Sequence, residues 1–267
     1  MILHRTRSAF LAGILLVVSF LFLGPGCPGE GYEVVAHRGF SSQAPENTMA
    51  AYEAALAVGA HHFELDVHET ADGELVCIHD DTLDRTTDCT GEVAEKTYEE
   101  IATCDAGSWF SEEFAGEPIP RLEDVLLRFA HEPIGIVIEL KVGGVAGQVL
   151  DLIETSGKSE NVHIVSFEKA WLEEAQGAMD GRVEIPLLWL LRVTTAGQIE
   201  EAAAAGFAGV DTHFSTTRQE LVDLAHSLGM TFAVYTVDQP AVMAQMSRLG
   251  VDLLTTNVPD VALEQLP

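Results

Sequence analysis

Positive charge is the scarcest commodity in this sequence: 14 Lys and Arg stand against 42 Asp and Glu in 267 residues, a formal net charge of −28. A chain this acidic repels phosphate backbones and anionic lipid surfaces, which excludes nucleic acid and leaves a membrane as a partner only through an attached anchor. The simplest use of such charge is a solvated acidic surface. Cysteine is scarce as well, with four in the chain, and no spacing of the kind that builds zinc sites occurs. Cys77 alternates into a strand and reads as a small buried apolar residue. Cys89 and Cys104 flank a loop-rich segment, where they either pair or stay free thiols.

Long apolar runs are missing, save one from Ala9 to Leu23, preceded by Arg5 and Arg7 and followed by Gly24-Pro25-Gly26-Cys27. A short apolar run between basic and small residues reads as an export signal over residues 1–27. Cys27 resembles the processing site of bacterial lipoproteins, in which the cysteine becomes the lipidated first residue. A secreted form cleaved in the ordinary way and an uncleaved anchor are the alternatives. Each places the mature domain, residues 28–267, outside the cytoplasm.

What is present is concentrated between Val35 and Asp80. An apolar strand from Val34 to Ala36 ends at His37-Arg38-Gly39. Asn47 to Gly59 has helical spacing, with Asn47 at the cap and Gly59 as terminator. His62 to Val67 reads as a second strand, whose period of two puts Glu64 and Asp66 on one face. Asp72-Gly73 then turns a hairpin, and Leu75 to Ile78 runs back, carrying His79 to the height of Asp66. Residues 81–120 interrupt the periodicity with turn residues, one short helical piece and the aromatics Trp109, Phe110 and Phe114. They read as an insertion over one rim of the fold, the aromatics forming its own core or covering a substrate.

From Pro120 strands and helices alternate again. A strand from Gly135 to Leu140 places Glu139 and Lys141 on one face, and further strands begin near residues 162, 185, 208, 231 and 252. With the 75–79 strand as a hairpin excursion, eight strands alternate with helices, the pattern of a (β/α)8 TIM barrel with a small insertion after the second strand's hairpin. In that architecture active sites lie at the C-terminal strand ends. Every residue singled out here falls at such an end.

HRG (37–39), PENT (45–48), ELD (64–66) and the run from Asp72 to Thr87 together resemble the glycerophosphodiester phosphodiesterase family. The likeness continues through Ile138-Glu139-Leu140-Lys141, Tyr235-Thr236-Val237-Asp238 and Thr256-Asn257, and spans the chain from about Val34 to Pro259. It implies one divalent cation, Ca²⁺ or Mg²⁺, held by Glu64, Asp66 and Glu139, since three converging carboxylates repel unless a hard cation or proton intervenes. The bland alternative is a set of separate surface salt bridges. The resemblance also implies His37 and His79 as general acid and base, without saying which is which, because imidazole titrates near neutrality.

Arg38 and Lys141 would bind the phosphoryl oxygens. Tyr235 stands where the family motif has tryptophan and would line the glycerol pocket, with shape and polarity altered. Glu46 and Asn47 read as capping and orienting the first helix. His213 also follows a strand end and is unassigned. His4, His61, His62, His68, His131, His163 and His226 read as structural. The implied reaction is metal-dependent hydrolysis of a small glycerophosphodiester to glycerol 3-phosphate and an alcohol. A lysophospholipase D-like enzyme, favoured by an apolar groove near Trp109 to Phe114, and an inactive surface binding protein are the alternatives.

Overall fold

The computed structural model describes residues 31–158 and 160–266; the expected export segment and Cys27 lie outside the described residues. In chain order the elements are β1 (Glu33–Ala36), α1 (Met49–Val58), β2 (His62–Glu69), β3 (Leu75–Cys77), α2 (Tyr98–Ile101), α3 (Leu122–Phe129), β4 (Gly135–Leu140), α4 (Ala146–Ser156) and β5 (Val162–Ser166). They continue as α5 (Lys169–Ala178), β6 (Leu187–Leu191), α6 (Ala196–Ala205), β7 (Gly209–His213), α7 (Gln219–Ser227), β8 (Thr231–Tyr235), α8 (Pro240–Leu249), β9 (Leu253–Thr256) and α9 (Pro259–Glu264). β1 pairs in parallel with both β2 and β9, so the ring closes. Eight parallel strands form it, and β3 lies antiparallel on β2 outside the ring. This is the expected TIM barrel, with α9 as a further helix that the sequence reading did not include.

The period of two along each strand sets the interior. Val35, Val137, Val165, Leu190 and Ala233 belong to one apolar cluster inside the barrel. Two residues further along the same strands stand His37, Glu139, Phe167, Arg192 and Tyr235, which therefore share the inward face one layer higher. An apolar floor thus carries a polar rim at the C-terminal strand ends. Outside the ring, Phe63 stacks on Tyr52 of α1 at 4.6 Å and meets Phe129 of α3 at 4.9 Å between ring centroids.

Three local expectations change. The cap of α1 is Thr48, whose side chain accepts from the Ala51 amide. Asn47 sits one residue earlier in a left-handed conformation at φ 57°, which frees its side chain for another partner. β6 begins at Leu187, two residues later than expected, and β7 and β9 begin one residue later. The insertion packs Leu83, Val93, Ile101, Cys104, Ala106 and Ile119 against Val76 and Ile78 of the return strand, and Trp109, Phe110 and Phe114 are not in this core. Trp109 is 42% exposed, with Phe110 edge-on to it and to Phe114. Cys89 and Cys104 are disulfide-bonded, with 5.6 Å between Cα atoms, and Cys77 is a buried free thiol.

Candidate active site

The turn after β1 is shaped by two left-handed residues, Arg38 at φ 56° and Gly39 at φ 80°. Gly39 is required twice over, since a Cβ there would lie 2.6 Å from the Ala51 backbone carbon as well as in a conformation that L side chains resist. That close approach brings the start of α1 against β1. The left-handed turn at Arg38 aims its amide at Glu64 Oε2, 2.8 Å away, and its guanidinium Nη1 donates to Glu46 at 2.7 Å. Arg38 Nε lies 3.4 Å from Asp66 Oδ2.

Glu64, Asp66 and Glu139 come together as the sequence spacing implied. Each offers an oxygen within 4.8 Å of the others', so they form one buried cluster and not separate surface salt bridges. Asp66 is fully buried. Its Oδ2 accepts from Asn47 Nδ2 at 2.7 Å and its amide donates to Asn47 Oδ1 at 3.1 Å, while Tyr52 holds the same Asn47 oxygen at 3.1 Å. Asn47 therefore orients a carboxylate, where the sequence suggested a helix cap. Asp66 Oδ1 has no hydrogen-bond partner; Lys141 Nζ lies 3.5 Å from it and donates to Glu139 Oε1 at 2.9 Å.

The electrostatics show how crowded the cluster is. Burial, then the charges of Asp66 and Glu139, pushes Glu64 well above the ordinary carboxylate value. Burial and Asp66 push Glu139 up to about 7 despite Lys141. For Asp66 burial acts in the same upward sense, but Arg38 and Lys141 outweigh it and hold the group below its usual value. Three hard oxygen donors, two reluctant to ionise and one with an orphaned buried oxygen, fit a Ca²⁺- or Mg²⁺-type cation.

His37 and His79 stand on the same mouth, and each has one ring nitrogen committed. Asn257 Oδ1 lies 2.7 Å from His37 Nδ1. Its amide orientation is set because Asn257 Nδ2 donates to Asp238 Oδ2 at 2.8 Å, so Oδ1 can only accept and His37 Nδ1 carries the proton. Burial and the neighbouring Arg38 lower His37 to about 4. On the other side, His79 Nδ1 meets Asp80 Oδ1 at 2.7 Å. Arg85 grips Asp80 and Glu46 with paired hydrogen bonds of 2.7–2.9 Å. Glu46 thus ties Arg38 to the insertion, a role beyond helix orientation.

His37, Arg38, Glu64, His79, Glu139, Lys141 and Tyr235 line one cavity of about 300 Å³. Asp66 lies behind its wall. Phe167, which ends the Val165-Ser166-Phe167 stretch of the family resemblance, lines it too, as do Arg192 and Asp211, which were not singled out in the sequence. Tyr235 packs edge-on against Phe167, and its hydroxyl donates to the Leu191 carbonyl at 3.2 Å. His213 is not among the lining residues; its Nδ1 lies 2.7 Å from Ser215 Oγ. Trp109, Phe110 and Phe114 do not line the cavity either. Four of the histidines read as structural have partners away from the cavity: His61 accepts from the Val34 amide, His62 pairs with Glu33, His68 with the His79 carbonyl and His226 with Asp252.

The sequence profile of the glycerophosphoryl diester phosphodiesterase family matches residues 37–261. A glycerophosphodiester phosphodiesterase of Caldanaerobacter subterraneus is 35% identical over 235 residues, 86% of this chain and 96% of its own. One from Bacillus altitudinis is 34% identical, covering 87% and 97%. Among solved structures, the glycerophosphodiester phosphodiesterase of Agrobacterium tumefaciens superposes with a TM-score of 0.78 at 31% identity, covering 87% of this chain and 99% of that one. An Oleispira antarctica phosphodiesterase in complex with the product sn-glycerol-3-phosphate gives 0.79 at 26%, covering 87% and 96%.

Proposed function

The chain belongs to the glycerophosphoryl diester phosphodiesterase family and is a phosphodiesterase of glycerophosphodiesters; we propose that it releases glycerol 3-phosphate by acid–base catalysis between His37 and His79 beside a divalent cation. The observation that carries this reading is the convergence of both histidines, Arg38 and Lys141 on the cavity that Glu64 and Glu139 line.

Glu64, Asp66 and Glu139 would hold the cation, Ca²⁺ or Mg²⁺, which supplies charge neutralisation at the phosphoryl group and lowers the pKa of a nearby hydroxyl. Arg38 and Lys141 bind the non-bridging oxygens and orient the phosphorus. With Nδ1 held protonated by Asn257, neutral His37 presents Nε2 as a base, and it removes the proton from the substrate's glycerol 2-hydroxyl as that oxygen attacks phosphorus. His79, with Nδ1 committed to Asp80, delivers a proton from Nε2 to the departing alcohol. Water then opens the cyclic phosphate with the two roles exchanged. An internal nucleophile benefits from proximity, so a diester lacking the adjacent hydroxyl is a poor substrate.

The test is release of glycerol 3-phosphate from glycerophosphocholine by purified residues 28–267 after chelation, and after restoring Ca²⁺ or Mg²⁺ separately. Turnover is expected only with an ion, and His37→Ala removes it while ion binding persists. Equal rates with chelator, or with a diester lacking the 2-hydroxyl, overturn the mechanism. The protein acts outside the cytoplasm, held to a membrane by lipid on Cys27; the export-type amino terminus and the Cys89–Cys104 disulfide support this, since disulfides persist in oxidising compartments. Cys27→Ser should move the protein from the membrane fraction to the soluble one, and unchanged partition refutes the anchor.

A further inference from the structure

Asp211 takes no part in the chemistry above, yet it is built into the same cavity. It is 6% exposed, its Oδ1 has no hydrogen-bond partner, and it lines the cavity beside Leu190 and Tyr235. Along the sheet its neighbours on β6 and β8 are Leu190 and Ala233, both in the apolar interior cluster. A buried carboxyl oxygen left without a partner beside apolar neighbours is unfavourable, and such an oxygen persists where a ligand completes its hydrogen bonding. Burial, with the charge of Glu139 second, pushes it up to about 8, the mark of a group without a cation of its own.

Its place in the ring says which part of a ligand it meets. β7 stands opposite β2 in the eight-strand order, so Asp211 faces Glu64 across the mouth, both lining the cavity. The phosphoryl group is held on the near side by Arg38 and Lys141, and a glycerol unit reaching across lays its carbons against Phe167 and Tyr235. The Tyr235 hydroxyl is spent on the Leu191 carbonyl, and Arg192 lies over the Phe167 ring, 4.3 Å from its centroid. We propose that Asp211 is a specificity-determining residue that hydrogen-bonds the terminal hydroxyl of the glycerol unit, the one farthest from phosphorus. This rests on the reading that the phosphoryl group is bound by Arg38 and Lys141.

The test compares binding of sn-glycerol 3-phosphate with that of 2-hydroxypropyl phosphate, which lacks only the terminal hydroxyl, by calorimetry on the ion-loaded protein. Wild type should prefer glycerol 3-phosphate by about 10- to 100-fold, the range for a hydrogen bond to an ionisable group. Asp211→Ala should bind both ligands alike, at the wild-type affinity for the deoxy ligand. Asp211→Asn keeps the shape and one polar contact and should recover part of the preference, which guards against a misfolded alanine variant. The kcat/KM of Asp211→Ala should fall by one common factor for glycerophosphocholine and glycerophosphoglycerol. Retained preference in Asp211→Ala overturns the proposal, as does equal loss of both ligands, which marks a structural role. A loss confined to the choline ester also overturns it, and assigns Asp211 to a cationic leaving group. Failure of the phosphoryl reading shows separately, as Arg38→Ala or Lys141→Ala that leaves affinity for either phosphate unchanged.

Discussion

At the scale of single residues, Asn47 shows how a small side chain supports a charged one. One amide satisfies Asp66 at both its carboxylate and its amide, and also takes the Tyr52 hydroxyl. Asn is among the few non-glycine residues at ease in the left-handed region, so the residue type serves both the backbone and the partner. Asn47→Ala leaves three buried groups short of a partner and should cost ~2–4 kcal/mol, read as a drop in Tm. The same change should weaken Ca²⁺ or Mg²⁺ binding by roughly 10- to 100-fold, as for other residues that orient metal ligands. Asn47→Asp tolerates the backbone but sets a second carboxylate against Asp66, so it should stay folded better and still bind the ion poorly. Ion affinity left intact in both variants would reduce Asn47 to a packing residue.

At the scale of elements, the insertion is more than a cover. Its disulfide closes a 15-residue separation, and Arg85, which lies at its base, holds Asp80 behind His79 and Glu46 behind Arg38. Replacing both Cys89 and Cys104 by Ser relaxes a loop of that size by about 3 kcal/mol in the chain-entropy account. Limited proteolysis should then cut within residues 81–120 before the barrel is touched, and kcat should fall more than ion affinity does, because His79 loses its support while the carboxylates on β2 and β4 keep theirs. Cleavage in the barrel helices first, or an unchanged kcat, would make the insertion a passive appendage. The element reading from sequence was sound for the strands and weaker for this region, since turn-rich segments carry no period from which contacts can be inferred.

At the scale of the whole molecule, an acidic protein places three of its 14 Lys and Arg, Arg38, Lys141 and Arg192, on the cavity where an anionic substrate would bind. Arg38 and Lys141 line the cavity while each is paired with carboxylates, so the proposed cation would tip the local balance. The raised values of Glu64 and Glu139 give this a pH signature. A carboxyl whose folded pKa lies above its unfolded one binds more protons in the folded state between the two values, so its contribution to stability falls as pH rises through that window. For Glu139 the window runs from the ordinary glutamate value to about 7. A cation held by Glu139 would bind the deprotonated form and compete with those protons. The rise in Tm on adding Ca²⁺ or Mg²⁺ should therefore be small at pH 5.5 and grow through pH 8. Glu139→Gln should flatten that trend, and a stabilisation independent of pH would remove Glu139 from the ligand set.

Much of the site was legible in the chain itself because a strand repeats every two residues. That period alone puts Glu64 beside Asp66 and Glu139 beside Lys141, and with eight apolar runs between helices it implies a barrel whose C-terminal rim carries them. Local patterns end where partners are distant. Asn257 reaches His37 across 220 residues of sequence, and only closure of β9 onto β1 brings them within a hydrogen bond and so sets which nitrogen of His37 is free. Asn47 could as well have capped a helix, until the close packing allowed by Gly39 set its side chain on Asp66. Asp211 is one acid among 42 Asp and Glu in the chain. Burial on the far wall of the cavity distinguishes it, and burial is decided by how the strands close and not by what lies next to it in the sequence.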